Sequence, residues 1–156
     1  MRKSTKTLII CLVIPLLVGG LSALLSGGMK NFDSLIKPPL SPPGWLFPVA
    51  WTILYLLMGF ASYLVYTAKA PTYKKNSALL LYGIQLFFNF MWSIIFFRFE
   101  AYLFAFVWLV ILWMLILATL VRFYEVRKVA GYLLVPYFIW VAFAGYLNIA
   151  IYILNN

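Results

Sequence analysis

The sequence predicts an all-α integral membrane protein: a bundle of five transmembrane helices with a long, structured first loop. Two observations carry this. Two-thirds of the 156 residues are apolar and only a tenth are charged, against roughly half and a quarter in soluble domains, so polar surface is too scarce to cover a water-soluble core. The apolar residues also fall in five runs, each near the ~20 residues that cross a bilayer, without the strict alternation of a β-barrel.

The spans are expected at about residues 8–25, 45–67, 78–97, 101–121 and 129–154, and together they make one domain over 1–156. The first follows a basic leader (Arg2, Lys3, Lys6) and shares features with a signal peptide. Its apolar character continues to Leu25, which favours a retained span. Gly19, Ala23 and Gly27 share one face of it, a pattern that permits close helix packing. Between spans one and two lie Lys30, Asp33 and Lys37, then Pro38, Pro39, Pro42 and Pro43. Each proline fixes its own φ and steers the preceding residue away from the helical region, so this segment is stiff and non-helical. Span two begins immediately after it, with Pro48 in the first turn, where a missing N–H costs little. The third connection is only Arg98-Phe99-Glu100, and in span five Pro136 is expected to kink the helix near its start.

Lysine and arginine set the orientation. The N-terminus, the second loop (Lys69, Lys74, Lys75) and the fourth (Arg122, Arg127, Lys128) carry nine; the opposite side carries Lys30, Lys37 and Arg98. The positive-inside rule then places the N-terminus in the cytoplasm, and the proline-rich loop and C-terminus outside. The net charge of +9 sits between apolar runs instead of forming a nucleic-acid-binding patch. Cys11 stands alone and there is no histidine, so no metal-ligand spacing is present.

Polar side chains are expensive inside a bilayer and each calls for a partner or a cavity. Span three carries Gln85, Asn89 and Ser93 at i, i+4 and i+8, with Trp92 adjacent. Span five places Tyr137, Trp140, Ala144, Asn148 and Tyr152 on one face, and span two does the same with Trp51, Tyr55, Met58, Gly59 and Ser62. Trp45, Trp108 and Trp113 read as interfacial belt residues. Trp51, Trp92 and Trp140 lie on the polar faces, where helix contact and a ligand pocket both remain open readings. Glu100, Asp33 and Glu125 all fall in connections, and no acid–base dyad, nucleophile–base pair or phosphate loop is present. A conventional hydrolase or oxidoreductase site is not expected. A coupled transporter would be expected to show intramembrane charge or broken repeats. Transport of a hydrophobic ligand and a purely structural interaction role are the alternatives to a receptor.

Three stretches, KPPLSPPGWLFPVAWTILY, QLFFNFMWSIIFF and LLVPYFIWVAFAGYLN, resemble signature segments of the translocator protein family, the tryptophan-rich sensory proteins and peripheral benzodiazepine receptors. The resemblance covers nearly the whole chain in order. It implies a usually dimeric five-helix bundle in a membrane, here a bacterial cell membrane, with a pocket toward the first loop. The ligands it implies are tetrapyrroles (protoporphyrin IX, haem), sterol-like molecules and isoquinoline or benzodiazepine compounds; no obligatory cofactor is implied. Carried over by motif, the pocket residues are Trp51, Tyr55, Asn89, Trp92, Trp140, Phe143, Ala144 and Asn148. Trp51 and Trp140 match tryptophans associated with light-dependent porphyrin breakdown. Lys30 and Lys37, at the mouth, are positioned to meet propionates. The chain departs from the pattern in three places. Leu40 stands where the family often has tryptophan, Tyr152 is not followed by the basic residue of the sterol pattern, and the missing histidine favours metal-free porphyrin over haem.

Overall fold

A computed structural model describes residues 3–27 and 34–156; Lys30 and Asp33 lie outside the described residues. The helices are α1 (Lys3–Leu25), α2 (Leu46–Tyr66), α3 (Thr72–Ser93), α4 (Tyr102–Val126), α5 (Lys128–Leu133) and α6 (Val135–Leu154). A π-helical turn, Ile94–Arg98, extends α3, and α5 with α6 forms the fifth span. Five helical segments are long and apolar enough to cross a membrane.

The boundaries differ from the expected ones where polar residues continue a helix. α1 takes in the basic leader from Lys3, and α3 starts at Thr72, directly after Pro71, so Lys74 and Lys75 are helical. Lysine is a good helix former, and a hydropathy run ends before the helix does. At Pro136 the chain breaks instead of kinking. α5 ends at Leu133, Leu134 donates to the Gly131 carbonyl, and α6 restarts with Pro136 in its first turn, where no N–H is needed.

Lipid supplies little hydrophobic drive between helices, so close backbone approach and hydrogen bonds hold the bundle. Pro15 leaves the Cys11 carbonyl of α1 without its usual intrahelical donor. Gly59 of α2 packs onto that carbonyl: a Cβ built on Gly59 would stand 2.6 Å from the Cys11 oxygen and 2.8 Å from the Leu12 Cα. Ser22 of α1 donates to the Phe90 carbonyl of α3 at 2.9 Å.

The indole N–H groups of Trp108 and Trp113 correct the belt assignment. Trp108 donates to the Phe88 carbonyl at 2.8 Å and stacks on the Phe88 ring, and Trp113 donates to the Phe138 carbonyl at 3.1 Å and stacks on the Phe138 ring. Both are half-buried clamps from α4, onto α3 and α6 respectively, whereas Trp45 is exposed before α2.

At one end of the bundle α2 lies against α5. Toward the other end α6 stays against α4 and makes no extended backbone approach to α1 or α2. Spans two and five therefore diverge toward the proline-rich segment.

Replacing Gly59 by alanine forces a methyl against rigid backbone of α1, an overpacking that costs about 1–3 kcal/mol. Thermal unfolding in detergent should show a lower midpoint for Gly59→Ala, while Gly20→Ala, whose Cβ meets nothing within 4 Å, should not lower it, since alanine is the better helix former.

Candidate ligand-binding site

The divergence leaves a cavity of about 430 Å³, within the ~300–1,000 Å³ usual for small-molecule sites. Its wall draws on the first three turns of α2 (Phe47, Trp51, Tyr55), the end of α3 and its π turn (Trp92, Phe96), and α6 (Trp140, Ala144, Asn148). α1 closes the remaining side with Leu16, Gly19, Gly20 and Ala23, and Ser26 follows just past its end. The small-residue face of α1 thus serves two purposes. Gly19 admits the Tyr55 ring, which a Cβ would meet at 2.3 Å, and Gly20 and Ala23 leave volume open. Gly27 ends the helix with φ +80°, the left-handed conformation common just after a helix.

A hydrogen-bonded ladder closes the deep end. Tyr55 O–H donates to Asn89 Oδ1 (2.7 Å), Asn89 Nδ2 to the Tyr137 hydroxyl oxygen (2.8 Å), and Tyr137 O–H to Gln85 Oε1 (2.6 Å). Gln85 Nε2 ends the run on the Tyr82 carbonyl at 3.0 Å. All four ladder side chains are buried, and together they join α2, α3 and α6. A second crosslink lies nearer the lid. Trp92 Nε1 donates to Asn148 Oδ1 (3.0 Å), and Asn148 Nδ2 to the Tyr102 carbonyl (2.8 Å) at the start of α4.

Of the eight pocket residues expected from sequence, Trp51, Tyr55, Trp92, Trp140, Ala144 and Asn148 line this one cavity. Asn89 stands behind the wall and fixes Tyr55. Phe143 packs on Trp140, with ring centroids 5.7 Å apart. The aromatic wall is continuous: Trp51 stacks on Tyr55 (5.6 Å) and meets Tyr137 (6.2 Å) and Trp140 (6.4 Å) edge-on. One donor on this wall is buried with no partner among the described residues. Trp140 Nε1 is buried without a hydrogen bond, which typically costs about 1–3 kcal/mol.

Residues 34–45, the proline-rich lid segment, lead into the start of α2 at the cavity's end of the bundle, and two tethers hold them to the C-terminal part of the fifth span. The Asn155 amide brackets the backbone of Ile36: the Ile36 N–H donates to Oδ1 (2.9 Å), and Nδ2 donates to the Ile36 carbonyl (2.8 Å). Tyr146 O–H donates to the Pro39 carbonyl at 2.7 Å. Lys37 sits half-buried between these tethers and Pro38 is buried. Leu40 is exposed and adopts φ +71°. Sequence reasoning missed Asn155, Tyr146 and the α1 wall. An asparagine just past the last helical turn and a tyrosine outside the polar face carry no spacing signal.

A five-span bundle closing an aromatic cavity beneath a proline-rich lid matches known proteins along nearly its whole length. The profile of the TspO/MBR family matches residues 11–154. The chain belongs to this family. It is 39% identical over 157 residues to the tryptophan-rich protein TspO of Chlorobaculum tepidum, covering 99% of each chain. It is 38% identical to protein CrtK of Rhodobacter capsulatus, covering 88% of this chain and 85% of that protein. To the translocator protein of Bos taurus it is 36% identical, covering 78% and 72%. All the cavity and lid residues described above fall within the TspO/MBR match except Asn155, which lies one residue beyond it.

If the Asn155 bracket holds the lid, Asn155→Ala should raise the hydrogen-exchange rate of the Ile36 amide and of the lid around it severalfold, without lowering the unfolding midpoint of the helices. Unchanged exchange at Ile36 would show that the lid is held by other contacts.

Proposed function

We propose that this membrane protein is a receptor or sensor that binds tetrapyrroles, protoporphyrin IX foremost, and similar flat hydrophobic ligands in the cavity beneath the lid. One observation supports this above the others. Trp51, Tyr55 and Trp140 form a run of contacting rings, and Trp92 adds a fourth from α3, around a space lined mostly by apolar and small residues. Such rings stack offset or edge-on with an aromatic ligand, worth about 0.5–1.5 kcal/mol per pair beyond area burial. Sterol-like and isoquinoline or benzodiazepine ligands suit the same apolar wall. Lys37 on the lid, with Lys30, is proposed to meet the propionates of a porphyrin.

For haem the wall offers no axial ligand of the usual kinds. The chain has no histidine, Cys11 is not on the wall, and the Tyr55 hydroxyl is engaged with Asn89. The reading is therefore for the metal-free macrocycle. A second reading, light-dependent porphyrin degradation, draws on the contact between Trp51 and Trp140, whose centroids lie 6.4 Å apart on the wall. In that reading the macrocycle absorbs the light and the two indoles are its electron partners.

The charge distribution supports a cytoplasmic N-terminus with the lid and C-terminus outside a bacterial cell membrane, and the family likeness supports a homodimer. Reporter fusions at each terminus and mass measurement in detergent test these two points.

Titration with protoporphyrin IX, followed by tryptophan quenching, should give a saturable curve. Ala144→Leu, which places a larger side chain in the cavity, should weaken binding by tenfold or more (about 1.4 kcal/mol), and Lys30→Gln with Lys37→Gln should weaken protoporphyrin more than an uncharged ligand. Unsaturable quenching, or full affinity in Ala144→Leu, would remove the cavity from the reading. Loss of the Soret band under illumination in wild type, abolished in Trp51→Phe with Trp140→Phe, would support the degradative reading.

A further inference from the structure

We infer that the cavity selects ligands carrying a hydrogen-bond acceptor, a ring ketone or similar carbonyl, and that Trp140 Nε1 is the donor that reads it. This rests on the cavity being the ligand site, as proposed above, and assigns a polarity to it.

The inference comes from an inventory of the polar groups on the wall. Asn148 uses its oxygen for Trp92 and its nitrogen for the Tyr102 carbonyl. Tyr55 gives its proton to Asn89, Thr52 to the Pro48 carbonyl and Ser26 to the Ala23 carbonyl. The Asn148 amide and these hydroxyl protons are thus already committed within the protein. Ser93, also on the wall, carries a hydroxyl outside these bonds, and the Trp140 N–H is the one donor of the wall that is buried with no acceptor among the described residues.

The surroundings explain why the protein itself does not satisfy it. Trp140 is enclosed by the rings of Phe47 (6.1 Å), Trp51 (6.4 Å) and Phe143 (5.7 Å), the first two edge-on. None of these rings carries a hydrogen-bond acceptor atom in its side chain. Phe47 and Trp51 come from the first turns of α2, on the far side of the gap that separates α2 from α6. A flat ligand entering that gap turns the two rings aside and brings its own edge to the indole. A carbonyl at that edge completes the bond. A hydrocarbon of the same shape leaves the donor stranded.

The test compares 9-fluorenone with fluorene, flat molecules that differ by one carbonyl, by calorimetric titration of the protein in nanodiscs, corrected for partition into empty nanodiscs. Fluorenone should bind about tenfold more tightly, the size of one recovered hydrogen bond, and the two should bind alike in Trp140→Phe. On wild-type protein the indole ¹H–¹⁵N resonance of Trp140 should move downfield with fluorenone and not with fluorene, so the inference does not depend on the variant folding. Equal affinities in wild type, a preference that survives Trp140→Phe, no downfield movement, or no saturable binding of either compound would each overturn it. If protoporphyrin fails to bind while the ketone preference holds, the tetrapyrrole reading falls and this inference stands.

Discussion

The architecture depends on the ladder from Tyr55 through Asn89 and Tyr137 to Gln85. Three spans meet at these side chains with every link shorter than 3 Å, in surroundings where water does not compete. Interhelical hydrogen bonds in membranes average only about 0.6 kcal/mol in double-mutant cycles, so the ladder's main effect is on position. It fixes the rotation of α2, α3 and α6 about their own axes, because a turned helix would carry a buried amide or phenol away from its partner. The faces bearing Trp51, Trp92 and Trp140 are oriented by the same constraint.

The cavity follows from where the close contacts stop. At the α5 end, spans two and five are packed; beyond the ladder, α6 stays with α4, and α2 stays with α1. The two pairs separate, and the gap is walled by rings on one side and by Gly19, Gly20 and Ala23 on the other. α1 has few buried side chains of its own, chiefly Pro15 and Ser22. It is kept in place by backbone fit, with the Cys11 carbonyl against Gly59 and the Tyr55 ring over Gly19.

Much of this was legible in the sequence. Spans, order and the faces carrying Gln85, Asn89, Tyr137 and Asn148 follow from helical spacing, because an amide repeating every fourth residue in an apolar run must point at another helix or a cavity. What spacing cannot supply is the identity of the partner. Trp108 and Trp113 sit in a run whose composition suits a membrane belt equally well, and only their carbonyl acceptors on α3 and α6 set them apart. The pairing of Pro15 with Gly59 joins two spans 44 residues apart and exists only once the freed carbonyl has a neighbour. Pro136 predicted a disturbance correctly but not its form, since a proline in a first turn starts a helix as readily as one mid-helix bends it. Asn155 caps the last helix with ordinary chemistry, and its bracket around Ile36 depends on where the lid runs.

The attachment of the lid has a mechanical consequence. Its distal part is anchored to α6 at Ile36 and Pro39, while its other end runs without a break into α2. It is a strap across the two helices whose spacing sets the width of the chamber. With four prolines the strap is stiff and stretches little, so widening between α2 and α6 must either release an anchor or tilt the strap.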